Sequence, residues 1–373
     1  MTSRTSLSPP AAARRLAPIL SPQSDLLAQI PAALKPRCIT TAARSQLTGI
    51  AFSPDSARLA LVSFEGVEIW DVRTFTRLQR LTGEEYYKTP VFSPDGRRLL
   101  CGTAEPKDEL QWWDIAAGKR LSAWKARKVT PDGSCLLRED VGPLEHGEQW
   151  QTGQVSFYDL LANRSLSPVR YADAWQREVY LSPGLRLVAM SGQNAGAPDG
   201  MVRVYDLRTG RRRVTLSDPR GELAFMDGVC GPMDFSPDGK LLVTNGEDPK
   251  FRVGHNPENP GAAVSEASYD RALPLKLWHL RTGKLLRMWP GQHPRSQPIF
   301  LRGGKRIAGV GYERLDVWDV ASGRLVYRLN FNDIGLHGQG VLASDHHTLA
   351  FADMREVILL TLPAPLETIT SHN

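Results

Sequence analysis

The chain has 373 residues, of which 41% are hydrophobic and 23% are charged, a composition typical of a globular protein. No apolar run approaches the roughly 18 residues that a membrane span requires, and four cysteines without a CxxC pair indicate neither a disulfide framework nor a zinc site. A net charge of +6 over this length does not by itself indicate a nucleic acid as partner. The sequence therefore predicts a protein without a membrane segment, with reduced thiols and a cytoplasmic location.

The first 36 residues show no hydrophobic period and contain several prolines, which predicts a disordered tail over 1–36. Arg14 and Arg15 interrupt its apolar part, so no signal peptide is predicted, and a Ser- and Arg-rich organelle transit segment is the alternative. The residues that follow, 37–43, have strand character and precede the first repeat.

One pattern recurs along the rest of the chain: an alternating strand, an aromatic residue, usually an aspartate, and then a turn and a second strand. The aromatic position is occupied in turn by Trp70, Trp113, Tyr158, Tyr205, Trp278 and Trp318, and by Leu360 in the seventh unit. Five of the six steps are 40 to 47 residues long, near the roughly 40–45 residues of a propeller blade. The remaining step, of 73 residues, contains an insertion at about 246–272, which we expect to form a mobile excursion. We expect the aromatic side chains to fill the space between neighbouring blades.

A second pattern keeps a constant phase with the first. Turns of the Ser-Pro-Asp-Gly kind stand between two apolar strands at 53–56, 93–96, 130–133, 182–184 and 236–239. Proline presets φ, aspartate can bond its own backbone, and glycine accepts a positive φ, so these residues are typical of hairpin turns. Each unit then has four strands, which in the second unit lie at about 89–92, 98–103, 109–115 and 120–125.

The seventh unit ends near Leu362 with only three strands, so its outer strand must come from elsewhere. Residues 37–43 would complete it and remove an exposed sheet edge. The sequence thus predicts an all-β fold, a seven-bladed β-propeller with four antiparallel strands per blade, closed by an N-terminal strand in the last blade. The propeller would span 37–365 and be followed by a C-terminal tail at 366–373.

The repeats resemble those of the WD-repeat family over roughly 37–365. Trp-Asp dipeptides at 70–71, 113–114 and 318–319 carry the resemblance, together with their phase relative to the turns, which are also similar to those of TolB-type propellers. WD repeats often bond the aromatic residue through a histidine before the first strand, and His293, as partner of Trp318, is the one candidate for that role here. This departure from the family pattern predicts blades that are held together by packing more than by the histidine network.

Catalytic chemistry and cofactors are not indicated. The chain contains no GxSxG, HExxH, GxxxxGK[ST] or GxGxxG motif. The adjacent His346 and His347 have only Asp345 beside them, so we expect neither a metal nor another cofactor. The sequence predicts a non-enzymatic protein. The alternatives are an enzyme with a site assembled from several blades at the central channel, or a propeller detached from a catalytic domain.

Charge separates between the two faces of the predicted propeller. With the strands of a blade named a to d from the channel outwards, the a–b and c–d turns lie on one face. Basic residues on that face include Arg97, Arg98, Lys119, Arg120, Arg211, Arg212, Arg213, Lys305 and Arg306. The d–a and b–c connections lie on the other face and are mostly acidic. The simpler interpretation is that the basic turns only aid solubility. The alternatives are an acidic protein partner and then a nucleic acid, which is disfavoured because no aromatic residues alternate with the basic ones.

The d–a and b–c connections also vary most in length, and binding residues tend to lie on loops that a rigid scaffold holds. Five large side chains of the kind enriched in interface hot spots are candidates for partner binding: Tyr86, Tyr87, Trp150, Trp175 and Phe251. The alternative is that these side chains fold back and cap the blade ends. The sequence predicts a monomeric, non-catalytic scaffold that binds a protein partner through this face.

Overall fold

The structure of the protein is a computed structural model. It describes residues 31–41, 46–82, 90–102, 109–124, 128–130, 133–141, 153–160, 162–171, 174–194, 201–217, 233–245, 273–292, 297–311, 314–336, 340–353 and 356–366. Regular structure in this part of the chain is almost entirely strand, with short 3₁₀ helices at Ala32–Leu34, Pro183–Leu185 and Asn332–Ile334. None of the described helices is long and apolar enough to cross a membrane.

The strands form seven antiparallel sheets, each of which is one blade. The first strand in the chain, β1 (Arg37–Thr40), belongs to the last blade. Blade 1 has β2 (Leu47–Phe52), β3 (Arg58–Ser63), β4 (Gly66–Asp71) and β5 (Arg77–Leu81). Blade 2 has β6 (Val91–Phe92), β7 (Arg98–Gly102), β8 (Leu110–Asp114) and β9 (Lys119–Trp124). Blade 3 has β10 (Lys128–Val129), β11 (Cys135–Val141), β12 (Gly153–Asp159), and an outer strand in two pieces, β13 (Arg164–Ser165) and β14 (Val169–Tyr171).

The remaining blades follow the same order. Blade 4 has β15 (Ala174–Leu181), β16 (Leu187–Asn194), β17 (Val202–Asp206) and β18 (Arg212–Leu216). Blade 5 has β19 (Met233–Phe235), β20 (Leu241–Asn245), β21 (Leu273–His279) and β22 (Lys284–Gln292). Blade 6 has β23 (Gln297–Phe300), β24 (Arg306–Val310), β25 (Arg314–Asp319) and β26 (Leu325–Asn330). Blade 7 has β27 (Gly340–Leu342), β28 (Thr348–Asp353), β29 (Glu356–Thr361) and β1. The predicted seven-bladed, all-β fold is confirmed.

Strand β1 closes the ring. It pairs antiparallel with β29, with Arg37 opposite Leu359 and Thr40 opposite Glu356. Ile39 of β1 is buried in a cluster that contains residues of blades 1 and 7. The predicted closing strand in the last blade is therefore confirmed, and it occupies the first four residues of the predicted segment 37–43.

Packing between blades follows one rule around the ring. The described residues form seven hydrophobic clusters, each of which joins two consecutive blades, including blades 7 and 1. The residue at the repeated aromatic position packs onto the preceding blade in each case: Trp70 onto blade 7, Trp113 onto blade 1, Tyr158 onto blade 2, Tyr205 onto blade 3, Trp278 onto blade 4, Trp318 onto blade 5 and Leu360 onto blade 6. A single apolar position per repeat thus contributes to all seven interfaces, although Trp70 and Tyr158 are only partly buried.

The turns between strands a and b are equally regular. Each has five residues, at 53–57, 93–97, 130–134, 182–186, 236–240, 301–305 and 343–347. In every blade the backbone N–H that opens the turn donates to the carbonyl five residues later, as Ser53 does to Arg58 at 2.9 Å. The first residue of the c–d turn donates to the last residue of the a–b turn, as Val72 does to Ala57 at 2.9 Å. In blade 7, which has no c–d turn, Leu362 after β29 donates to His347 in the same way. These bonds therefore tie the a–b turn of each blade to the residue that follows strand c.

Two strands begin or end beyond their predicted bounds. β15 begins at Ala174, so Trp175 lies in a strand opposite Gln193 and not in the connection where the sequence analysis places it. A bulge between Gln176 and Glu178 interrupts the alternation of this strand, and the polar residues around it resemble a loop in sequence. β11 likewise extends to Val141, through acidic residues that the sequence assigns to a connection.

Two leucines outside the predicted range 37–365 are buried. Leu34 and Leu366 both lie in the cluster between blades 6 and 7, and Leu366 is 0% exposed. The backbone N–H of Leu366 donates to the carbonyl of His346 at 3.0 Å, and its carbonyl accepts a hydrogen bond from Arg306 Nη1. Segments on both sides of the predicted propeller therefore contribute to its core.

Candidate functional site

The two faces of the propeller differ in how uniform their connections are. All a–b turns have five residues and the c–d turns have four or five, whereas the b–c connections range from two residues at 64–65 to the segment 246–272. That segment lies outside the described residues, so its predicted excursion stays a prediction. The a–b and c–d side is called the uniform face below, and the other side the variable face. The connections of the variable face therefore differ far more in length from blade to blade than the turns of the uniform face.

Aspartates hold the turns of the uniform face. In one a–b turn, Asp95 Oδ1 accepts hydrogen bonds from Ser93 Oγ at 2.5 Å and from the N–H of Arg97 at 3.0 Å. In one c–d turn, Asp71 Oδ1 accepts bonds from the N–H and the hydroxyl of Thr74 at 2.6 and 2.9 Å. These bonds favour the ionised carboxylate and lower the pKa of Asp95 and Asp71.

The same arrangement recurs in other turns. Hydrogen bonds from Ser236 and from Ser322 lower the pKa of Asp238 and of Asp319. At Asp55, desolvation by burial would raise the pKa, but hydrogen bonds from Ser53 and from the N–H of Ala57 lower it overall. The uniform face thus carries a series of carboxylates whose folded state prefers the ionised form.

We expect the stability of the propeller to fall when the pH drops below about 4, the ordinary pKa of aspartate. The pKa of each turn aspartate is lower in the folded chain than in the unfolded one, so the unfolded chain binds more protons in this range. The stabilisation is complete above the unfolded pKa and is lost as the pH falls through the folded pKa. Urea unfolding between pH 3 and 6 measures this slope. A variant with Asp71→Asn, Asp95→Asn and Asp238→Asn should show a flatter slope, and an unchanged slope would contradict the assignment.

A groove of about 670 Å³ opens on the uniform face between blades 3 and 4. This blade 3–4 groove is lined by Arg164 and Leu166 of blade 3 and by Leu185, Arg186, Arg208 and Arg213 of blade 4. It lies where the outer strand of blade 3 is broken between β13 and β14, at 166–168. Pro168 has no N–H to donate to the neighbouring strand, which accounts for the break.

The groove carries more positive than negative charge. Its lining carboxylate, Asp206, already accepts hydrogen bonds from the N–H groups of Arg208 and Thr209 at 3.0 and 3.1 Å. Arg164 Nε lies 3.8 Å from a carboxylate oxygen of Asp159. Arg186, Arg208 and Arg213 are exposed, and no described carboxylate forms an ion pair with them. Three guanidinium groups in one groove are therefore available to an anionic ligand.

Three further grooves between blades differ in charge. The blade 7–1 groove, of about 510 Å³, is balanced, with Arg37 and Arg73 against Asp71 and Asp345. Its Arg37 is also occupied, since its guanidinium lies 3.4 Å from the centre of the Phe75 ring. The blade 2–3 groove of about 300 Å³ contains one cation, Arg98. The blade 4–5 groove of about 360 Å³ shares Arg213 with the blade 3–4 groove and adds Lys240 and Arg281.

Comparison with known proteins agrees with the architecture. A segment of 101 residues is 30% identical to the WD repeat-containing protein WDS homolog of Arabidopsis thaliana, over 24% of this chain and 19% of that protein. A segment of 223 residues is 25% identical to the angio-associated migratory cell protein of Homo sapiens and 26% identical to that of Canis lupus familiaris, over 54% of this chain and 46% of each protein. The chain is a seven-bladed β-propeller whose sequence is similar to that of a WD repeat-containing protein. No family model matches it, and the matched segments span less than half of each of these relatives.

The predicted basic residues of the propeller are spread over three blades. Arg97, Arg98, Lys119 and Arg120 belong to blade 2, Arg211, Arg212 and Arg213 to blade 4, and Lys305 and Arg306 to blade 6. Of these nine, Arg213 alone lines the blade 3–4 groove. Arg186 and Arg208 also belong to turns that the sequence predicts to be basic, and Arg164 joins them because blades 3 and 4 lie side by side.

The predicted partner-binding role of five large side chains stays a prediction. Tyr86, Tyr87, Trp150 and Phe251 lie outside the described residues. Trp175 is placed in β15, the first strand of blade 4.

Histidine and cysteine side chains are possible metal ligands and reactive groups in the part of the chain that the structure describes. No group of three His, Cys, Asp or Glu residues there could hold a metal ion, and His347 Nε2 contacts the carbonyl of Leu362. Burial, with a contribution from the charge of Glu356, raises the pKa of the Cys38 thiol to about 11, so this thiol is protonated at neutral pH. His293, the predicted partner of Trp318, lies outside the described residues, so this pairing stays a prediction. In blade 5, Trp278 Nε1 donates to Thr244 Oγ1 at 3.0 Å.

Proposed function

We propose that this WD-repeat propeller is a non-catalytic protein-interaction scaffold and that its main partner binds the d–a and b–c connections of the variable face. The observation that carries the proposal is the contrast between the faces: seven a–b turns of five residues on one side, and b–c connections of two to more than twenty residues on the other. A partner distinguishes one propeller from another through connections whose length and sequence differ between them. The similarity to WD-repeat proteins supports a scaffold over an enzyme.

A scaffold of this kind needs blades that keep their relative positions. Neighbouring blades are joined by polar contacts as well as by the apolar clusters. Arg287 of blade 5 donates to the carbonyls of Ala321 and Ser322 in blade 6 at 2.7 and 3.2 Å. Trp289 Nε1 donates to the next carbonyl, that of Gly323, at 3.0 Å. Because three successive carbonyls of one turn are held by the preceding blade, loops on adjacent blades keep a fixed spacing, which lowers the entropy cost of binding.

The proposal is tested with a partner recovered by affinity purification with the full chain as bait. We expect a variant with Tyr86→Ala, Tyr87→Ala and Trp175→Ala to bind this partner at least ~30-fold more weakly, since buried aromatic anchors often contribute about 2 kcal/mol or more each. Isothermal titration calorimetry with the purified partner measures the change, after circular dichroism has shown that the variant is folded.

The matched control removes three apolar side chains that are also exposed but lie on outer strands. Leu78→Ala, Leu121→Ala and Leu286→Ala change residues that are 52%, 48% and 51% exposed. This control should bind like the unmodified chain. Loss of binding in the control alone would place the partner on the circumference. Loss only after substitution of Arg211, Arg212 and Arg213 by serine would place it on the uniform face.

A further inference from the structure

The blade 3–4 groove has walls that backbone contacts hold in place. Ser167 Oγ of blade 3 donates to the carbonyl of Arg208 in blade 4 at 3.0 Å. Gly210 of the same turn has a φ of +67°, and a Cβ there would lie 2.7 Å from the carbonyl oxygen of Pro168. Only glycine permits both this conformation and this approach. The broken outer strand of blade 3 is thus fastened to the turn of blade 4, and the groove is a fixed part of the fold.

The floor and rim of the groove differ in polarity. Leu207 at the floor is 2% exposed, while Leu166 and Leu185 are partly buried and still line the open space. The exposed guanidinium groups of Arg186, Arg208 and Arg213 stand around them. An apolar floor inside a cationic rim fits a ligand that combines negative charges with small apolar groups.

We propose that the blade 3–4 groove, continued through Arg213 into the blade 4–5 groove, binds an extended acidic segment of a partner protein. This surface lies on the face opposite the variable face and is a second docking site. Two of its cations, Arg164 and Lys240, lie 3.8 and 3.2 Å from carboxylate oxygens of Asp159 and Asp238. The exposed cations without an ion pair to a described carboxylate are Arg186, Arg208, Arg213 and Arg281. Arginine forms paired hydrogen bonds with carboxylates. Together the two grooves enclose about 670 and 360 Å³, which is room for several residues of an extended peptide.

A nucleic acid fits the groove less well. The described lining of the blade 3–4 groove contains no aromatic side chain on which a base could stack, and that of the blade 4–5 groove contains one aromatic ring, the imidazole of His279. The leucines that line the groove also favour a peptide, because a peptide can place apolar side chains against them and a phosphate backbone cannot. The blade 7–1 groove, of similar size but balanced charge, lacks this chemistry.

The test uses fluorescence anisotropy with the full chain and a labelled glutamate-rich peptide that contains leucine. The same peptide with glutamine in place of glutamate and a single-stranded oligonucleotide of equal charge serve as comparison ligands. The groove variant carries Arg164→Gln, Arg186→Gln, Arg208→Gln and Arg213→Gln. The control variant carries Arg97→Gln, Lys119→Gln, Lys305→Gln and Arg324→Gln, which removes the same charge from exposed positions of the uniform face on blades 2 and 6.

We expect the glutamate peptide to bind at least ~10-fold more weakly to the groove variant and to change by no more than about twofold with the control variant. The glutamine peptide should not bind. Equal loss in both variants would show general charge attraction and overturn the proposal, as would absence of peptide binding to the unmodified chain. Tighter, groove-dependent binding of the oligonucleotide would overturn it in favour of a nucleic acid.

A charge-reversal variant distinguishes loss of a direct contact from an indirect effect of the substitutions on the fold. The variant Arg208→Glu with Arg213→Glu should lose the glutamate peptide and gain binding to a peptide in which lysine replaces glutamate. A misfolded variant would bind neither peptide, so gain of the lysine peptide supports a direct contact, and failure to gain it in a variant with unchanged thermal unfolding overturns the proposal.

Discussion

Deleting residues 1–41 is expected to lower the midpoint of thermal unfolding by on the order of 10 °C, whereas deleting residues 1–30 should change it by no more than about 2 °C. The larger deletion removes β1, all its backbone bonds to β29, and the buried side chains of Leu34 and Ile39. Burial of two such side chains contributes about 3–6 kcal/mol. The uncovered edge of β29 would also favour aggregation. Differential scanning calorimetry measures both midpoints.

Single substitutions in β1 distinguish the stability contributed by the buried side chain from that contributed by the paired backbone. Ile39→Ala is expected to lower the free energy of unfolding by about 2–4 kcal/mol. Thr40→Val, at an exposed position of the same strand, should change it by no more than about 0.5 kcal/mol. If the two deletions melted at the same temperature, β1 would not be needed to close the ring.

Replacing Trp278 by alanine is expected to lower the free energy of unfolding by about 3–5 kcal/mol. Trp278 is 0% exposed between blades 4 and 5, and alanine would leave a cavity and remove the partner of the Thr244 hydroxyl. Tyr158 occupies the same position in blade 3 but is only partly buried, and its hydroxyl bonds to Asn163 at 2.7 Å. Tyr158→Ala should therefore cost less than about 2 kcal/mol. Urea unfolding, monitored by fluorescence and circular dichroism, measures the free energy of unfolding of the two variants.

The intermediate variant Trp278→Phe keeps most of the apolar volume but loses part of the ring and the bond to Thr244. We expect it to retain more than half of the stability that alanine removes. Equal losses at Trp278 and Tyr158 would mean that the repeated position acts through its local backbone, and that burial between blades does not set its contribution.

The architecture could be predicted because it repeats. A period near that of propeller blades, seen seven times, outweighs the ambiguity of any one strand. The seventh unit lacked its outer strand. The segment before blade 1 had strand character and could supply it. Closure by β1 followed from the requirement that a sheet edge be covered.

The blade 3–4 groove could not be predicted in the same way. Arg164, Arg186 and Arg208 are separated by more than twenty residues from one to the next, and their convergence depends on which turns become neighbours. Pro168 is the one local signal, since it interrupts an outer strand that is continuous in the other blades. The sequence predicted a loop around Trp175, where the structure has a strand. The bulge between Gln176 and Glu178 interrupts the alternation by which a strand is recognised in a sequence.

The closing pair β1 and β29 also determines how the ring would respond to mechanical force. The chain enters β1 at Arg37, opposite Leu359, and leaves β29 at Thr361, so both lead from the same end of the pair. Tension on the segments before Arg37 and after Thr361 would first detach Leu366 from blade 6. It would then pull the pair apart like a zipper, with one rung of hydrogen bonds loaded at a time. Shearing loads all rungs together and needs a larger force. Blade 7 would therefore open at low force while the other six blades, whose strands are joined in sequence, still hold.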